Sequence, residues 1–265
     1  MTGPLVLCLG GLAGNGPGLD ADREAVEAAG ARFAGAVTAN TVQNEMGLVS
    51  LGARDPAAWR FDALAAVSVE NPGCLKSGLL PGREHVSEMR HLLGQLRFDA
   101  PGLPWVLDPV LASSKGDQFL SSGGCEALLE LFDLGPIFCP NLREAALLAG
   151  LGEESLVGDI SARLEVGAWL LEKGAAAVVL KGGHGNEDPL LDLVLQPRVE
   201  PVWISSVRVP GSIRGSGCRH GAYLAALLAQ GRSVTDAAQE AGAWVAQQVA
   251  KRTAGADLPP PEPAL

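Results

Sequence analysis

The sequence predicts an α/β protein in which a mostly parallel β-sheet is covered by helices on both faces. Short apolar runs alternate with helical patterns along most of the 265 residues, as in chains that build parallel sheets. Continuous apolar runs such as Ala176–Leu180 indicate strands whose two faces are both buried. Hydrophobic residues make up 47% of the chain and charged residues 19%, which provides for a sizeable core and excludes a disordered chain.

Strands and helices are predicted in regular alternation. Apolar runs of strand length that end in glycine or proline indicate strands, and helical spacing of apolar residues indicates helices. The segment Leu190–Val209 has two extended halves around a turn that contains proline, so it predicts a β-hairpin. The other predicted strands are Leu5–Gly10, Arg32–Thr38, Cys74–Lys76, Trp105–Leu107, Ile137–Cys139 and Ala176–Leu180. The predicted helices are Asp20–Ala29, Ala57–Val67, Arg83–Leu96, Gly124–Phe132, Leu142–Ala149, Ile160–Lys173, Cys218–Ala229 and Val234–Lys251.

The sequence predicts one domain over residues 1–256. It contains no internal repeat and no convincing linker, and one large α/β domain can reach this length. Residues 257–265 are rich in proline and predict a loosely held tail.

Composition and charge restrict the possible partners and location. The formal net charge is -10 and lysine and arginine form no run, so nucleic acid is not an expected partner. The 5 cysteines are scattered and form no CxxC pair, which argues against a disulfide framework or a zinc site. The apolar N-terminus lacks the basic flank of a signal peptide, and no apolar stretch is long enough to span a bilayer. We therefore expect a cytoplasmic protein.

The strongest motif is the segment Val207–Gly231, where a strand leads through glycines into a long apolar helix. Gly215, Ser216 and Gly217 allow the backbone to approach a ligand closely. The free amides and the dipole of the helix that begins at Cys218 favour an anion at this end. The motif predicts a binding site for a phosphate or for a phosphoryl group in transfer. The alternative is a strand–turn–helix junction whose glycines serve packing only.

Cys218 carries the reactive group of this motif. The helix dipole and the neighbouring Arg214 and Arg219 are expected to lower the pKa of its thiol. Cys218 would then act as a base toward a substrate hydroxyl, or would bind negative charge in its neutral state. The alternative is a buried, inert cysteine.

The segment Ile137–Gly150 brings a buried strand to a helix start. Asn141 can cap that helix, and Glu144 stands three residues later, as in a capping box. The alternative is that Asn141 and Glu144, at the carboxyl end of a strand, hold water around Mg²⁺.

Two charged residues directly follow apolar strands. Lys181 ends the strand in Val178–Gly185, and Asp108 ends the strand in Trp105–Asp117. Ligands of open α/β sheets bind at the carboxyl ends of the strands, so both side chains are candidates for a metal–nucleotide site. The alternatives are a solvated lysine at a turn and an aspartate that caps a turn.

Two further segments offer polar groups for a small ligand. The glycine-rich segment Gly10–Asp22 links a strand to a helix, and Asp22 could accept hydrogen bonds from a ligand or favour the helix N-terminus. It is not a clean dinucleotide-binding fingerprint. The segment Thr38–Gly47 is predicted as a loop, in which Gln43 and Asn44 could pair with the edge of a heterocycle.

Taken in order, these motifs resemble the hydroxymethylpyrimidine/phosphomethylpyrimidine kinases. The similarity runs from Leu5 to about Lys251. It is closest in PNLREA, in VVLKGGH and in GSGC before a helix, where cysteine is typical of the pyrimidine-kinase branch of the superfamily. The resemblance implies a ribokinase-like three-layer sandwich. It also implies a homodimer.

The activity that the resemblance implies is transfer of the γ-phosphoryl group of ATP to a hydroxymethyl group and then to the monophosphate, with Mg²⁺. It assigns pyrimidine binding to Asp22, Gln43 and Gly10. It places Asp108, Asn141 and Glu144 near Mg²⁺ and the triphosphate, Lys181 near the phosphates, and Arg214 at the nucleotide. It assigns the anion hole to Gly215, Gly217 and Cys218, with Cys218 at the position of the base.

This chain departs from the family pattern at several positions. Leu12 stands where aspartate is usual, Ile213 where threonine is usual, and Leu79 where methionine is common. Arg219 replaces a small polar residue, so Arg214 and Arg219 could favour a substrate that is already phosphorylated. Two alternatives remain: a pyridoxal or other vitamin kinase of the same fold, and a relative that binds a pyrimidine or nucleotide without turnover.

Overall fold

One mixed β-sheet forms the middle layer of the protein. The computed structural model describes residues 2–14, 17–44, 47–112, 119–120 and 122–256. Within these residues the sheet has nine strands in the order β3-β2-β1-β4-β5-β6-β7-β8-β9. The strands are β1 (Leu5–Ala13), β2 (Arg32–Asn44), β3 (Gly47–Ala53), β4 (Cys74–Ser77), β5 (Trp105–Leu107), β6 (Ile137–Phe138), β7 (Ala177–Leu180), β8 (Leu190–Leu195) and β9 (Val202–Ser206).

The centre of the sheet is parallel and its margins are antiparallel. Strand β1 pairs in parallel with β2 and β4, and the parallel pairing continues through β5 and β6 to β7. Strand β3 pairs antiparallel with β2, and β8 and β9 add an antiparallel hairpin beyond β7. The hairpin confirms the prediction for Leu190–Val209.

Helices cover both faces of the sheet, so the predicted three-layer α/β/α arrangement is confirmed. The described helices are α1 (Leu19–Ala28), α2 (Pro56–Ala66), α3 (Arg83–Asp99), α4 (Ser122–Glu130), α5 (Leu142–Leu148), α6 (Ile160–Glu172), α7 (Ser216–Ala229) and α8 (Val234–Ala256), with short 3₁₀ helices at Leu131–Leu134 and Glu153–Leu156. One apolar cluster packs the five helices from α2 through α6 against one face of the sheet. A second cluster packs α1, α7 and α8 against the other face. Alternate residues of β1 face the two clusters, because strand side chains alternate between faces.

Local chemistry fixes where several helices begin. The Asp55 carboxylate accepts a hydrogen bond of 2.9 Å from the amide of Ala58, and Pro56 occupies the first helical position of α2. The Asp159 carboxylate accepts a 2.9 Å hydrogen bond from the amide of Ala162 at the start of α6. These caps satisfy amides that have no partner inside the helix.

The sheet order reverses at β1 and opens a crevice at its carboxyl edge. The chain passes from β1 through α1 to β2 on one side, and later returns to β4 on the other side of β1. Helix α1 lies on one face, and helix α2, which precedes β4, lies on the opposite face. A change of side and of face leaves an opening above the strand ends, where ligands of open α/β sheets bind.

The hairpin of β2 and β3 corrects the prediction of a loop over Thr38–Gly47. Strand β2 continues to Asn44, and the residues that follow it form β3, which the sequence did not predict. The segment is rich in polar residues, and both Val42 and Val49 are more than half exposed. A strand pair at the edge of a sheet lacks the apolar run of a buried strand, so its sequence is easily taken for a loop.

Strand β1 also extends further than predicted, to Ala13, because its last three residues pair with Ala39, Asn40 and Thr41 of the lengthened β2. Part of the glycine-rich segment Gly10–Asp22 is therefore strand. The predicted tail, residues 257–265, lies outside the described residues. Among the described helices, none is both long enough and apolar enough to cross a membrane.

Candidate active site

Four buried charged residues of alternating sign lie in a row at the carboxyl edge of the sheet. The Lys76 ammonium is 2.9 and 3.0 Å from the two carboxylate oxygens of Asp22, and 3.7 Å from Oδ2 of Asp108. The Lys181 ammonium is 2.8 Å from Oδ1 of Asp108. All four are at most 8% exposed. We call these residues, Asp22, Lys76, Asp108 and Lys181, the ion array.

Burial and mutual attraction compete in the ion array. Desolvation raises the pKa of Asp22 to about 6, against the pull of Lys76. Desolvation would also raise the pKa of Asp108, but the two ammonium groups outweigh it and hold that pKa below its usual value. Desolvation alone would lower the pKa values of Lys76 and Lys181, yet Asp22 and Asp108 raise them. The array is therefore ionised at neutral pH, with its two positive and two negative charges in balance.

Lys76 is the member of the array that the sequence analysis missed. It lies on β4 beside Cys8 of β1, at the point where the sheet order reverses. The available signal was a lysine inside an apolar strand, because a fully buried lysine is rare unless it is paired. The sequence could not identify Asp22 as that partner, since the two residues are 54 positions apart.

The start of α7 lies against the Lys181 end of the array. Gly215 caps the helix in a left-handed conformation with φ 75°. A side chain at Gly217 would come within 3.3 Å of the Lys181 ammonium, so backbone and ammonium are close neighbours. Free helix amides and a lysine ammonium together favour an anion. The structure therefore brings Gly217 and Lys181 together, with Gly215 at the cap of the same helix. Their role at a phosphate stays a prediction.

Cys218, in the first turn of α7, corrects the expectation of a lowered pKa. Desolvation raises the pKa of its thiol to about 12, although Lys76 pulls it down. The carboxylates of Asp108 and Asp22 raise it further. Desolvation and the two carboxylates therefore outweigh the two ammonium groups at this half-buried thiol, which is neutral at neutral pH.

Arg219 does not supply the positive charge that was expected beside the Cys218 thiol. Its guanidinium donates hydrogen bonds of 3.1 and 2.5 Å to Glu24 of α1, and one of 2.7 Å to the carbonyl of Arg214. Arg219 is buried and the Glu24 side chain is 40% exposed, so this pair fastens α7 to α1 at the border of the interior. Arg219 follows Cys218 in the sequence, but its guanidinium is paired with Glu24 rather than with the thiol.

Asn141 and Glu144 form the capping box that the sequence predicted. The Glu144 amide donates 2.9 Å to the Asn141 side chain, and the Asn141 amide donates 2.8 Å to the Glu144 carboxylate. Asn141 also forms a parallel β-bridge with Lys181, which brings the box to the array. Desolvation raises the pKa of Glu144 to about 7. The capping role leaves lone pairs on both side chains for a further ligand.

The oxygen donors at this end fit a magnesium ion. Oδ2 of Asp108 is buried, and within the described residues it has no hydrogen-bond partner. Mg²⁺ is commonly held by one or two carboxylates together with water and substrate phosphates, which suits Asp108 with Glu144 and Asn141. The described residues contain no denser group of His, Cys, Asp and Glu that could hold a metal alone.

Asp192 on β8 supports the loop that follows Lys181. Its carboxylate accepts a 2.6 Å hydrogen bond from the amide of Gly182. A side chain at Gly182 would come within 1.9 Å of the carbonyl oxygen of Leu191, so the turn requires glycine. Desolvation raises the pKa of Asp192 to about 6. The sequence analysis did not identify this residue, because its partner lies across the β7–β8 pairing.

The predicted pyrimidine-binding residues are placed at the other end of the array. A side chain at Gly10 would lie 3.7 Å from Oδ2 of Asp22, so the end of β1 borders that carboxylate. Gln43 lies on β2, where it pairs with Leu48, and its side chain is outside the described part of the structure. The role of Gln43 remains a prediction.

Arg214 lies beside the array rather than in it. It is exposed and lines a cavity of about 420 Å³ between α1, α7 and the end of α8. The cavity is also lined by Pro17, Asp20, Ala21, Glu24, Ser212, Ile213, Arg219 and Arg252. Three arginines and two acidic residues give it a mixed, slightly positive lining. The nucleotide role of Arg214 stays a prediction.

The family model described as phosphomethylpyrimidine kinase matches residues 13–257 of this chain. The chain belongs to this family. A curated hydroxymethylpyrimidine/phosphomethylpyrimidine kinase of Rhizobium meliloti (strain 1021) is 31% identical over 254 residues, covering 92% of this chain and 90% of the relative. The identification from sequence motifs is therefore confirmed.

Solved structures share the fold of this phosphomethylpyrimidine kinase family member. The phosphomethylpyrimidine kinase from Clostridium difficile 630 matches with a TM-score of 0.77 and 22% identity, over 93% of this chain and 99% of that one. The pyridoxal kinase from Staphylococcus aureus in complex with AMP-PCP and pyridoxal matches with a TM-score of 0.79 and 25% identity, over 93% and 87%. These likenesses confirm the ribokinase-like fold that the sequence predicted.

Gly215 and Gly231 flank α7 and provide a matched test of crowding at the anion site. Both have positive φ, 75° and 84°, but a side chain at Gly215 would lie 2.1 Å from Cβ of Pro17, whereas Gly231 has nothing within 4 Å. We expect Gly231→Ala to lower the free energy of unfolding by about 1 kcal/mol, the cost of a left-handed alanine. Gly215→Ala should lower it by at least about 1 kcal/mol more, measured by urea unfolding. Equal losses would contradict the close contact.

Asp192 should make stability depend on pH. Because burial raises its pKa from 3.8 to about 6, the folded protein binds this proton more tightly than the unfolded chain. The favourable contribution of protonated Asp192 to the free energy of unfolding is complete below about pH 4 and is lost as pH rises through about 6. The change is on the order of 3 kcal/mol. The Asp192→Asn side chain does not titrate in this range, and its oxygen can still accept the hydrogen bond from the amide of Gly182.

The measurement is the free energy of unfolding of the wild type minus that of Asp192→Asn. We expect this difference to decrease between about pH 4 and pH 7. A difference that stays constant, or that increases with pH, would contradict the raised pKa.

Proposed function

We propose that this protein is an ATP-dependent kinase that phosphorylates hydroxymethylpyrimidine, its monophosphate, or both, in thiamine biosynthesis. The observation that carries the proposal is the ion array at the start of α7. One carboxylate oxygen of Asp108 accepts no hydrogen bond from the described residues, and a helix N-terminus lies beside Lys181. A phosphotransferase needs a place for anionic phosphates and a separate place for the acceptor. The two ends of the array supply both.

The acceptor pyrimidine is assigned to the Asp22 end. The Asp22 carboxylate uses one lone pair of each oxygen for Lys76, and it keeps others for the amino group and ring of an aminopyrimidine. Gly10 has no side chain where it borders the carboxylate, so its backbone could approach a ligand at Asp22 closely. Gln43 would complete the heterocycle edge with its amide. The curated relative from Rhizobium meliloti is named as a kinase of such a pyrimidine.

The nucleotide is assigned to the other end. Lys181 would bind the phosphates of ATP, Arg214 would contact the nucleotide from the rim, and Asp108 would orient the complex. Mg²⁺, held by Asp108, Asn141 and Glu144 and by the phosphates, would neutralise charge that develops during transfer. The Lys181 ammonium and the buried carboxylates hold these groups in fixed positions and keep bulk water away.

The transferring phosphoryl group is assigned to Gly215, Gly217 and Cys218. The bond from the γ-phosphorus to the bridging oxygen of ADP would break as a bond to the hydroxymethyl oxygen forms, and the hydroxyl proton would pass to an oxygen of the transferred phosphoryl group and from there to water. The backbone amides and Lys181 would stabilise the equatorial oxygens. The neutral state of Cys218 favours a thiol that donates a hydrogen bond to the phosphoryl group over a thiolate base that forms before the reaction. Both roles place Cys218 at the reacting atoms.

A vitamin kinase with pyridoxal as acceptor is the second candidate. It is supported by the likeness to the Staphylococcus aureus pyridoxal kinase in complex with AMP-PCP and pyridoxal. A binder without turnover is disfavoured, because an ion array of this size is costly to bury and a binder has no need of it.

The working form is proposed to be a cytoplasmic homodimer that binds neither nucleic acid nor membranes. The net charge of -10 disfavours nucleic acid. Val42 and Val49, 53% and 60% exposed on the edge hairpin of β2 and β3, offer an apolar surface for a second copy.

The activity test measures ADP formation from Mg–ATP with hydroxymethylpyrimidine, its monophosphate and pyridoxal. We expect turnover of one or both pyrimidines, with a kcat/KM above that for pyridoxal. Preference for pyridoxal would select the second candidate. Binding of all three without turnover would contradict the kinase proposal.

The same assay applied to Cys218 variants separates the two roles of the thiol. Cys218→Ala should lower kcat by roughly 10²-fold, because one donor to a developing charge is lost. Cys218→Ser keeps a donor and should retain most of the activity, whereas loss of a thiolate base would reduce both variants alike. Cys125→Ala, on α4 and outside the array, is the control and should keep the wild-type rate.

A further inference from the structure

We infer that Lys76 is a positioning residue that couples the two ligand sites, so that nucleotide bound at the Asp108 end tightens the binding of pyrimidine at the Asp22 end. The inference rests on the proposed function and adds a thermodynamic link between its two sites. Its physical basis is one ammonium group shared between two carboxylates that face different ligands.

The ammonium is shared unequally. Lys76 lies 2.9 and 3.0 Å from the Asp22 oxygens, at hydrogen-bond distance, but 3.7 Å from Oδ2 of Asp108. That Asp108 oxygen has no hydrogen-bond partner within the described residues. Both carboxylates are at most 2% exposed, so water does not easily replace the ammonium at either. Asp22 therefore depends on Lys76 for its counter-charge, whereas Asp108 has Lys181 as well and meets Lys76 only through Oδ2.

The surroundings leave Lys76 few other positions. A side chain at Gly78 would lie 3.0 Å from its ammonium, and one at Gly221 of α7 would lie 3.6 Å from its Cε. The remaining ionisable groups that influence it are the thiols of Cys8 on β1 and Cys218 on α7. The backbone of Gly78 and of Gly221 therefore lies close to the ammonium and the stem of Lys76. Among the described residues, Asp22 and Asp108 are the two carboxylates within ion-pair distance of the ammonium, so they are the partners between which it can shift.

Ligand binding at one end should change this sharing. A nucleotide with its metal at Asp108 brings positive charge to the oxygen that Lys76 approaches only at 3.7 Å. The ammonium is then left wholly to Asp22, where it holds the carboxylate in a single orientation. A carboxylate that is already oriented binds its ligand more tightly, since less freedom is lost. By linkage, pyrimidine must tighten nucleotide binding by the same factor.

The test is calorimetric titration of hydroxymethylpyrimidine into the protein, with and without saturating Mg²⁺ and the non-hydrolysable nucleotide AMP-PCP. For the wild type we expect the Kd of the pyrimidine to fall by about fivefold or more when the nucleotide is present, which lies within the ordinary range of coupling. Lys76→Met and Lys76→Gln should both bring the ratio of the two Kd values to about one. The glutamine side chain of Lys76→Gln can still donate a hydrogen bond to Asp22. This variant therefore serves as the test if Lys76→Met does not fold.

Arg97→Met is the matched control. Arg97 is a partly buried cation on α3 that binds the carbonyls of Leu103 and Leu134, which precede β5 and β6 at the opposite edge of the sheet. Its loss should destabilise the protein and leave the wild-type ratio unchanged. A wild type without coupling, or Lys76 variants that retain it, would overturn the inference. Failure of the wild type to bind the pyrimidine at all would overturn the proposed function, and the inference with it.

Discussion

The ion array of Asp22, Lys76, Asp108 and Lys181 is the interaction on which the rest of the site depends. Burying one ion costs several kcal/mol, and removal of one partner leaves a charge that nothing compensates. The array therefore constrains its surroundings. Gly78 and Gly221 lack side chains where its members pass, and the start of α7 is held close above it. The reversal of the sheet at β1 provides the crevice in which such a row of charges can meet ligands.

The fold distributes the chemistry along this row. The parallel strands end at one edge, so side chains that follow β5 and β7 meet there although they are 73 positions apart. Helix α7 brings its free amides to the same edge, and Arg219 fastens that helix to α1 through Glu24. Asp22 is thus held by α1, whereas Asp108 and Lys181 follow strands of the sheet. Lys76 connects them.

Much of this arrangement could be predicted from sequence, because apolar strands and helix spacing are local signals. The predicted carboxyl-edge residues Asp108, Lys181 and Gly217 do lie together. The failures share a physical cause, which is dependence on distant neighbours. Lys76 was missed because its partner Asp22 is distant in the sequence. The pKa of Cys218 was predicted to fall, but desolvation raises it, and the residues adjacent in sequence do not reveal how deeply a thiol is buried. The edge strand β3 was missed because its antiparallel pairing with β2 across the hairpin is what identifies it, and the polar residues at the end of β2 are typical of a loop.

In the proposed kinase the two ends of the array bind the two substrates of one transfer. A crystal structure of the protein with Mg²⁺, AMP-PCP and hydroxymethylpyrimidine tests this arrangement most directly. We expect the ring at Asp22 and the terminal phosphate at the amides of Gly215 to Cys218, beside Lys181. A pyrimidine bound away from Asp22, or phosphates away from the start of α7, would contradict it.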